Sequence, residues 1–81
     1  MRIDKFLKVS RIIKRRTVAN EACDAGRVIV NGRPVKAGYD IKVNDIVEIS
    51  LGNRQIKFKV INVLENPKKD EAYSLYEMIE Q

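Results

Sequence analysis

The stretch RVIVNGRPV, residues 27–35, decides how the chain is organised. Asn31-Gly32 is a two-residue turn signal, because both residues accept the positive φ that a tight hairpin turn demands. The residues on either side read as an outgoing and a returning strand. Two further strands are expected beyond it. DIVEISL, residues 45–51, alternates imperfectly. QIKFKVINVL, residues 55–64, begins with clean alternation: Ile56, Phe58 and Val60 on one face, Lys57 and Lys59 on the other. Gly52-Asn53 joins these two as a second tight turn.

Before Gly26 the period is helical. In TVANEACDAG, residues 17–26, Thr17 suits an N-cap and Gly26 a C′ position. Val18, Ala19, Ala22 and Cys23 form a narrow face of small side chains, leaving Asn20, Glu21 and Asp24 to water. In MRIDKFLKVS, residues 1–10, Ile3, Phe6 and Leu7 make one apolar helical stripe, and Arg2, Lys5 and Lys8 step by three along the opposite side. Residues 11–16 read as a turn or short helical linker anchored by Ile12 and Ile13. Near the end, Ala72, Leu75, Tyr76 and Ile79 recur at helical spacing, with Asp70 and Glu71 suited to a first turn and Asn66-Pro67 as the break before it. That stripe fits packing on the sheet better than docking a partner, though both uses remain open. The expected class is α+β: two packed N-terminal helices, a small antiparallel sheet with a hairpin, and a C-terminal helix. Residues 1–66 form the domain and residues 67–81 a helical tail packed on it.

Eighty-one residues make one domain with a thin core, since a chain of this size buries only about 60% of its unfolded surface. Its charge is lopsided. Residues 1–40 carry ten cations against four acids, residues 41–81 six against seven, and residues 1–16 alone hold seven cations and one Asp. Concentrated positive charge suggests a polyanion, either nucleic acid or an anionic membrane; the plain alternative is a solvated basic face. Histidine is absent, which excludes His-based acid–base catalysis and Ser-His or Cys-His triads. With no P-loop and no glycine-rich dinucleotide motif either, the chain is not expected to be an enzyme or to need a cofactor. Cys23 is the single cysteine, so neither a disulfide framework nor a Cys-based zinc site is expected. It reads as a core residue of a reduced, cytoplasmic protein. No signal region and no membrane-length apolar run is present, and nothing in the sequence gives a reason for self-association, so a monomer is expected.

The basic cluster RIIKRRTVAN, residues 11–20, sets Arg11, Lys14, Arg15 and Arg16 at the start of the second helix. A helix N-terminus already carries partial positive charge, so cations there cost a few tenths of a kcal/mol each when exposed. The arrangement makes sense if an anion belongs between them: unpaired N–H groups, the dipole and Arg forks converge on phosphate. The expectation is a phosphate-backbone clamp with Arg2, Lys5 and Lys8 as a second basic edge. Two Phe, three Tyr and no Trp lie mostly on apolar stripes, so stacking platforms for single-stranded bases are not evident beside the cluster. The clamp is expected to read backbone and shape.

RIDKFL (residues 2–7), RRTVANEACDAGRVIVNGRPV (residues 15–35) and DIKVNDIVEI (residues 40–49) together resemble the RNA-binding domain named after the fourth protein of the small ribosomal subunit. Its pattern is Arg-hydrophobic-Asp, an Arg and hydroxyl residue at a helix start, a Gly before a Val-Asn-Gly hairpin, and a Gly-Asp turn. The resemblance implies the alpha-L RNA-binding motif and, by position, sets Arg2 and Asp4 on the first motif, with RNA contacts at Arg2, Arg16, Thr17 and Asn31 and with Lys5 and Lys8 on the exposed side of the first helix. Here Asn44-Asp45 stands in place of Gly-Asp, and Ala22-Cys23 in place of larger aliphatics. A chain that is nearly all this domain is similar to the stand-alone heat-shock-protein-fifteen-like group, most nearly its ribosome-quality-control factor P members. That likeness implies binding to large-subunit rRNA and peptidyl-tRNA on an obstructed large ribosomal subunit, in support of a tRNA-recruiting quality-control factor that adds C-terminal alanines. The alternative within the same resemblance is a general ribosome-assembly or heat-shock ribosome-binding factor.

Overall fold

Asn31 and Gly32 take φ of 52° and 85°, the paired left-handed values of a type I′ turn. They fold β1 (Val28–Val30) against β2 (Arg33–Pro34). The computed structural model describes residues 1–79. The second turn, with positive φ at Gly52, connects β3 (Ile46–Leu51) to β4 (Arg54–Val60), and Leu51 pairs with Arg54 across it.

Five antiparallel strands lie in the order β2-β1-β3-β4-β5, the last being Tyr76–Met78. Register places Val28 opposite Ile49, Val30 opposite Val47, and Val47 and Ile49 opposite Phe58 and Ile56. All of these side chains are buried, so one face of the sheet is continuously apolar. Helices α1 (Ile3–Val9) and α2 (Arg16–Asp24) supply its cover. Ile3, Phe6 and Leu7 of α1 are wholly buried, and Ala19, Ala22 and Cys23 of α2 are buried. Phe6 stacks on Phe58 with ring centroids 6.3 Å apart, and Phe58 meets Tyr76 edge-on at 5.5 Å. Burying a ring like Phe58 contributes about 1.5–3 kcal/mol, so these three aromatics tie helix, central sheet and last strand into one core. Burial also pushes the Cys23 thiol up to about 11, with Asp4 and Asp24 adding to it, which keeps the thiol protonated and inert.

Asn31 braces a second loop. Its amide nitrogen donates to Asp45 Oδ1 and its oxygen accepts from the Ile46 N–H, both at 3.0 Å. Asn44 sits there at φ 79°, the left-handed turn position that asparagine tolerates in place of glycine. The chain start is fastened to residues 37–41: Ile3 N–H donates to the Tyr39 carbonyl at 2.8 Å and Ile41 N–H to the Met1 carbonyl at 2.9 Å.

The expected C-terminal α-helix is not formed. Glu71–Leu75 is a single 3₁₀ turn, after which the chain extends into β5. Asp70 caps the turn by accepting from the Glu71 N–H. Ala72 and Leu75 are fully buried, and their three-residue spacing matches a 3₁₀ period as well as an α one. Strand pairing prevails because β4 otherwise presents an open edge of N–H and C=O groups. The segment therefore completes the sheet rather than forming a helical tail; the last two positions of that expected helix, 80 and 81, lie outside the described residues.

Candidate nucleic-acid interface

Asp4 is 2% exposed and lies in the first turn of α1. A buried carboxylate demands hydrogen-bond partners, and five donors supply them. Arg2 gives Nε–H and an Nη2–H at 3.2 Å each, Arg16 an Nη2–H at 3.4 Å, Asn20 its amide at 3.3 Å, and the Lys5 backbone N–H reaches it at 2.8 Å. Burial pushes the Asp4 carboxyl up, and the bonds from Asn20, Arg16 and Arg2 together outweigh it, holding the group below the usual carboxylate value. Arg2 and Arg16 remain 54% and 46% exposed. Asp4 thus orients two guanidinium forks while leaving most of their donors to the outside. They border a recess of about 440 Å³ with Thr17, Asn20 and Glu21.

Helix α2 opens on this recess. Its N-cap residue is Arg15, with no side-chain cap. Thr17 is the second helical residue rather than the expected cap, so its exposed hydroxyl is not tied to the helix end. The first-turn N–H groups therefore have no side-chain capping acceptor. Lys14 and Arg15 flank this end and are exposed. Two other expectations for α2 change: Val18 faces solvent rather than the core, and Asn20 bonds to Asp4 rather than to water.

The Arg2, Lys5, Lys8 stripe is divided three ways. Arg2 precedes the helix and serves Asp4; Lys5 pairs with Glu65; Lys8 joins Arg11 and Lys14 at a second recess of about 550 Å³, walled by Val9, Asn66, Pro67 and Tyr73. Asn31 borders neither recess. Its amide serves the hairpin tip, which stands exposed with Gly32 and Arg33.

The sequence pattern of the S4 domain matches residues 1–47, from the chain start into β3. The chain belongs to the S4-domain family. It is 53% identical over its whole length to the RQC P-site tRNA stabilizing factor of Streptococcus pneumoniae, covering 92% of that protein. To the factor of the same name from Halalkalibacterium halodurans it is 50% identical over 96% of the chain and 89% of the relative. The trimeric structure of Vibrio cholerae Heat Shock Protein 15 superposes with a TM-score of 0.90 at 22% identity, over 98% of this chain and 81% of that one. That likeness concerns the fold. Within this S4 domain the family segment carries the helices, the Asp4 cluster and the hairpin, while β4, the 3₁₀ turn and β5 lie beyond it.

Three features of the candidate site are not read from the sequence. Asp4 falls on the first motif of the family pattern, but its bonds to Arg2 and Arg16 are not legible there. Helical spacing sets Asn20 on the solvent side, whereas it bonds to Asp4. Tyr73 stands roughly sixty positions from the residues it joins, so no local pattern links them. One signal for Asp4 was available: a lone acid among seven cations in residues 1–16 is the natural partner for some of them.

Proposed function

We propose that this S4 domain is a non-enzymatic RNA-binding adaptor of ribosome-associated quality control. It holds tRNA and large-subunit rRNA together on large ribosomal subunits obstructed by peptidyl-tRNA. In doing so it supports the alanine tailing carried out with a tRNA-recruiting partner factor. It acts in the cytoplasm and as a monomer. The observation that carries this reading is the pair of half-exposed guanidiniums, Arg2 and Arg16, held by buried Asp4 at the uncapped start of α2. Two forks fixed in advance lose less freedom on meeting phosphate than two mobile side chains would.

Arg2, Arg16 and Thr17, with the first N–H groups of α2, take one stretch of phosphate backbone. Lys8, Arg11, Lys14 and Arg15 take a second, which allows two RNA segments to be bridged. Lys5 adds charge nearby, since its pair with exposed Glu65 is easily exchanged, and Asn31 keeps the hairpin tip in place. The names of the relatives from Streptococcus pneumoniae and Halalkalibacterium halodurans support the tRNA and quality-control part of the reading. No helix among the described residues is long and apolar enough to cross a membrane.

The test is a sucrose-gradient pulldown of tagged protein, wild type beside Arg16→Ala, with the co-purifying RNA and peptide identified. Removing a charge-assisted fork contact should weaken RNA binding by about 1–3 kcal/mol. Free large subunits carrying peptidyl-tRNA, depleted in the variant, are expected. Recovery with intact ribosomes or precursor particles would instead assign the chain to assembly or general ribosome binding.

A further inference from the structure

The second recess differs in kind from the Asp4 site. Lys8, Arg11 and Lys14 border it, and among the described residues no carboxylate does. The acids nearest in sequence are engaged: Glu65 with Lys5, Asp70 with the Glu71 N–H, and Glu71 with the Lys68 N–H. Pro67 and Tyr73 line the same recess. Tyr73 is 63% exposed and is the one tyrosine that does not pack on the core, as Tyr39 and Tyr76 do. Its backbone is nevertheless anchored by its neighbours. Its neighbour Ala72 and, two positions on, Leu75 are fully buried. The Leu75 carbonyl accepts from Ile61 and Asn62, and Ser74 Oγ donates to the Glu71 carbonyl. An aromatic face held in water beside three cations leaves apolar area unburied, a cost that a bound partner removes.

Arg11 gives a second, independent sign. It closes α1 at φ 64°, donating its N–H to the Lys8 carbonyl at 3.0 Å. This is the left-handed position that helices usually give to glycine, because a Cβ there is strained. An arginine at that position, against its backbone preference, points to a use for its side chain.

We propose that this recess is a base-capture subsite, holding one unstacked nucleotide of the bound RNA with its base on Tyr73 and its phosphates on Lys8, Arg11 and Lys14. The proposal rests on the RNA-binding reading above and adds to it a preference for loops over continuous duplex. The recess volume of about 550 Å³ falls in the roughly 300–1,000 Å³ range of sites that enclose one small molecule, so it suits a single extruded nucleotide. Asn66, exposed at its edge, supplies an amide for the base edge.

The test is a fluorescence titration of the full chain with two RNAs of equal length and charge. One is a hairpin with a single 2-aminopurine in its loop; the other is a continuous duplex with the same base paired. The wild type should bind the hairpin more tightly and change the loop-base fluorescence on binding. Tyr73→Ala should weaken hairpin binding roughly 5- to 100-fold, the range of one lost base–aromatic stack, and Tyr73→Phe should restore it. Arg11→Gly should melt at or above the wild-type temperature yet bind the hairpin more weakly, which separates loss of contact from loss of fold. Equal binding of the two RNAs by the wild type, or unaltered hairpin binding by Tyr73→Ala, would overturn the subsite and leave the RNA-binding reading intact. So would a Phe variant as weak as the Ala one. Displacement of the hairpin by an acidic peptide of equal charge at equal concentration would reassign the recess to a protein partner. A wild type that bound neither RNA would overturn the underlying reading as well.

Discussion

Asp4 holds two arginines in place and depends on both for its own burial. Exchanging it for asparagine keeps the shape but removes the charge that orders the forks. Asp4→Asn should lower stability at neutral pH by about 1–3 kcal/mol, the usual cost of weakening charge-assisted bonds to a buried group. The pH dependence follows from its lowered value. Well above 3.8 the carboxyl is ionised in both folded and unfolded chains, so its contribution is constant. As pH falls below that value the unfolded chain takes the proton first, and the contribution is lost progressively as pH drops through the folded value. Denaturant melts between about pH 2 and pH 7 should therefore show a shallower acid limb in Asp4→Asn than in wild type. Asp40 and Glu65, whose values are lowered by the Met1 amine and by Lys5 respectively, titrate in both proteins and cancel in the comparison. Equal acid limbs would remove Asp4 from its central role.

At the scale of elements, the last segment is the informative one. Strand β5 pairs only with β4, Phe58 opposite Met78 and Val60 opposite Tyr76, and a three-residue edge strand gains little by itself. The 3₁₀ turn holds it through Leu75, which is wholly buried. Leu75→Ala should cost about 2–5 kcal/mol, as large-to-small changes in a packed core do, measured as a shift of the urea midpoint at unchanged slope. A change below about 0.5 kcal/mol would mean that the segment docks on a partner rather than on its own sheet. Since Tyr73 lies within the same turn, loss of this anchor would also loosen the second recess. The hairpin of β1 and β2 shows the reverse economy: one side chain, Asn31, sets the turn and braces the loop before β3.

For the whole molecule the proposed RNA binding turns on how many cations would meet phosphate together. The fold brings Arg2 and Arg16 to one recess and Lys8, Arg11 and Lys14 to another. With about five backbone contacts, log K against log salt should fall with a slope of roughly −3 to −4 on the single-strand coefficient. Titrations of a ribosomal RNA fragment or tRNA at several salt concentrations check this. A slope near zero would mean that the basic half of the chain is merely a solvated face. Removing one cation from each recess should lower the slope by about two-thirds of a unit per contact.

The sequence by itself determined the local choices. Asn31-Gly32 specified the hairpin, the Ile56, Phe58, Val60 alternation specified a strand and its buried face, and Ile3, Phe6 and Leu7 specified the inner side of α1. Each of these is written in neighbouring residues through φ preference or a period of two or 3.6. The clustering of cations at the N-terminal end was equally legible, as was the family that its motifs resemble. Only the tertiary structure decided which cations act together. Local spacing put Arg2, Lys5 and Lys8 on one stripe, whereas contacts between distant residues sent Arg2 to Asp4 and Arg16, Lys5 to Glu65, and Lys8 to the recess of Tyr73. The same holds for residues 71–78, whose apolar spacing satisfies a helix until the open edge of β4 offers it strand pairing. Periodicity records what a segment can bury; which neighbour receives it depends on the chain closing into a sheet, and that is a property of pairs far apart in sequence.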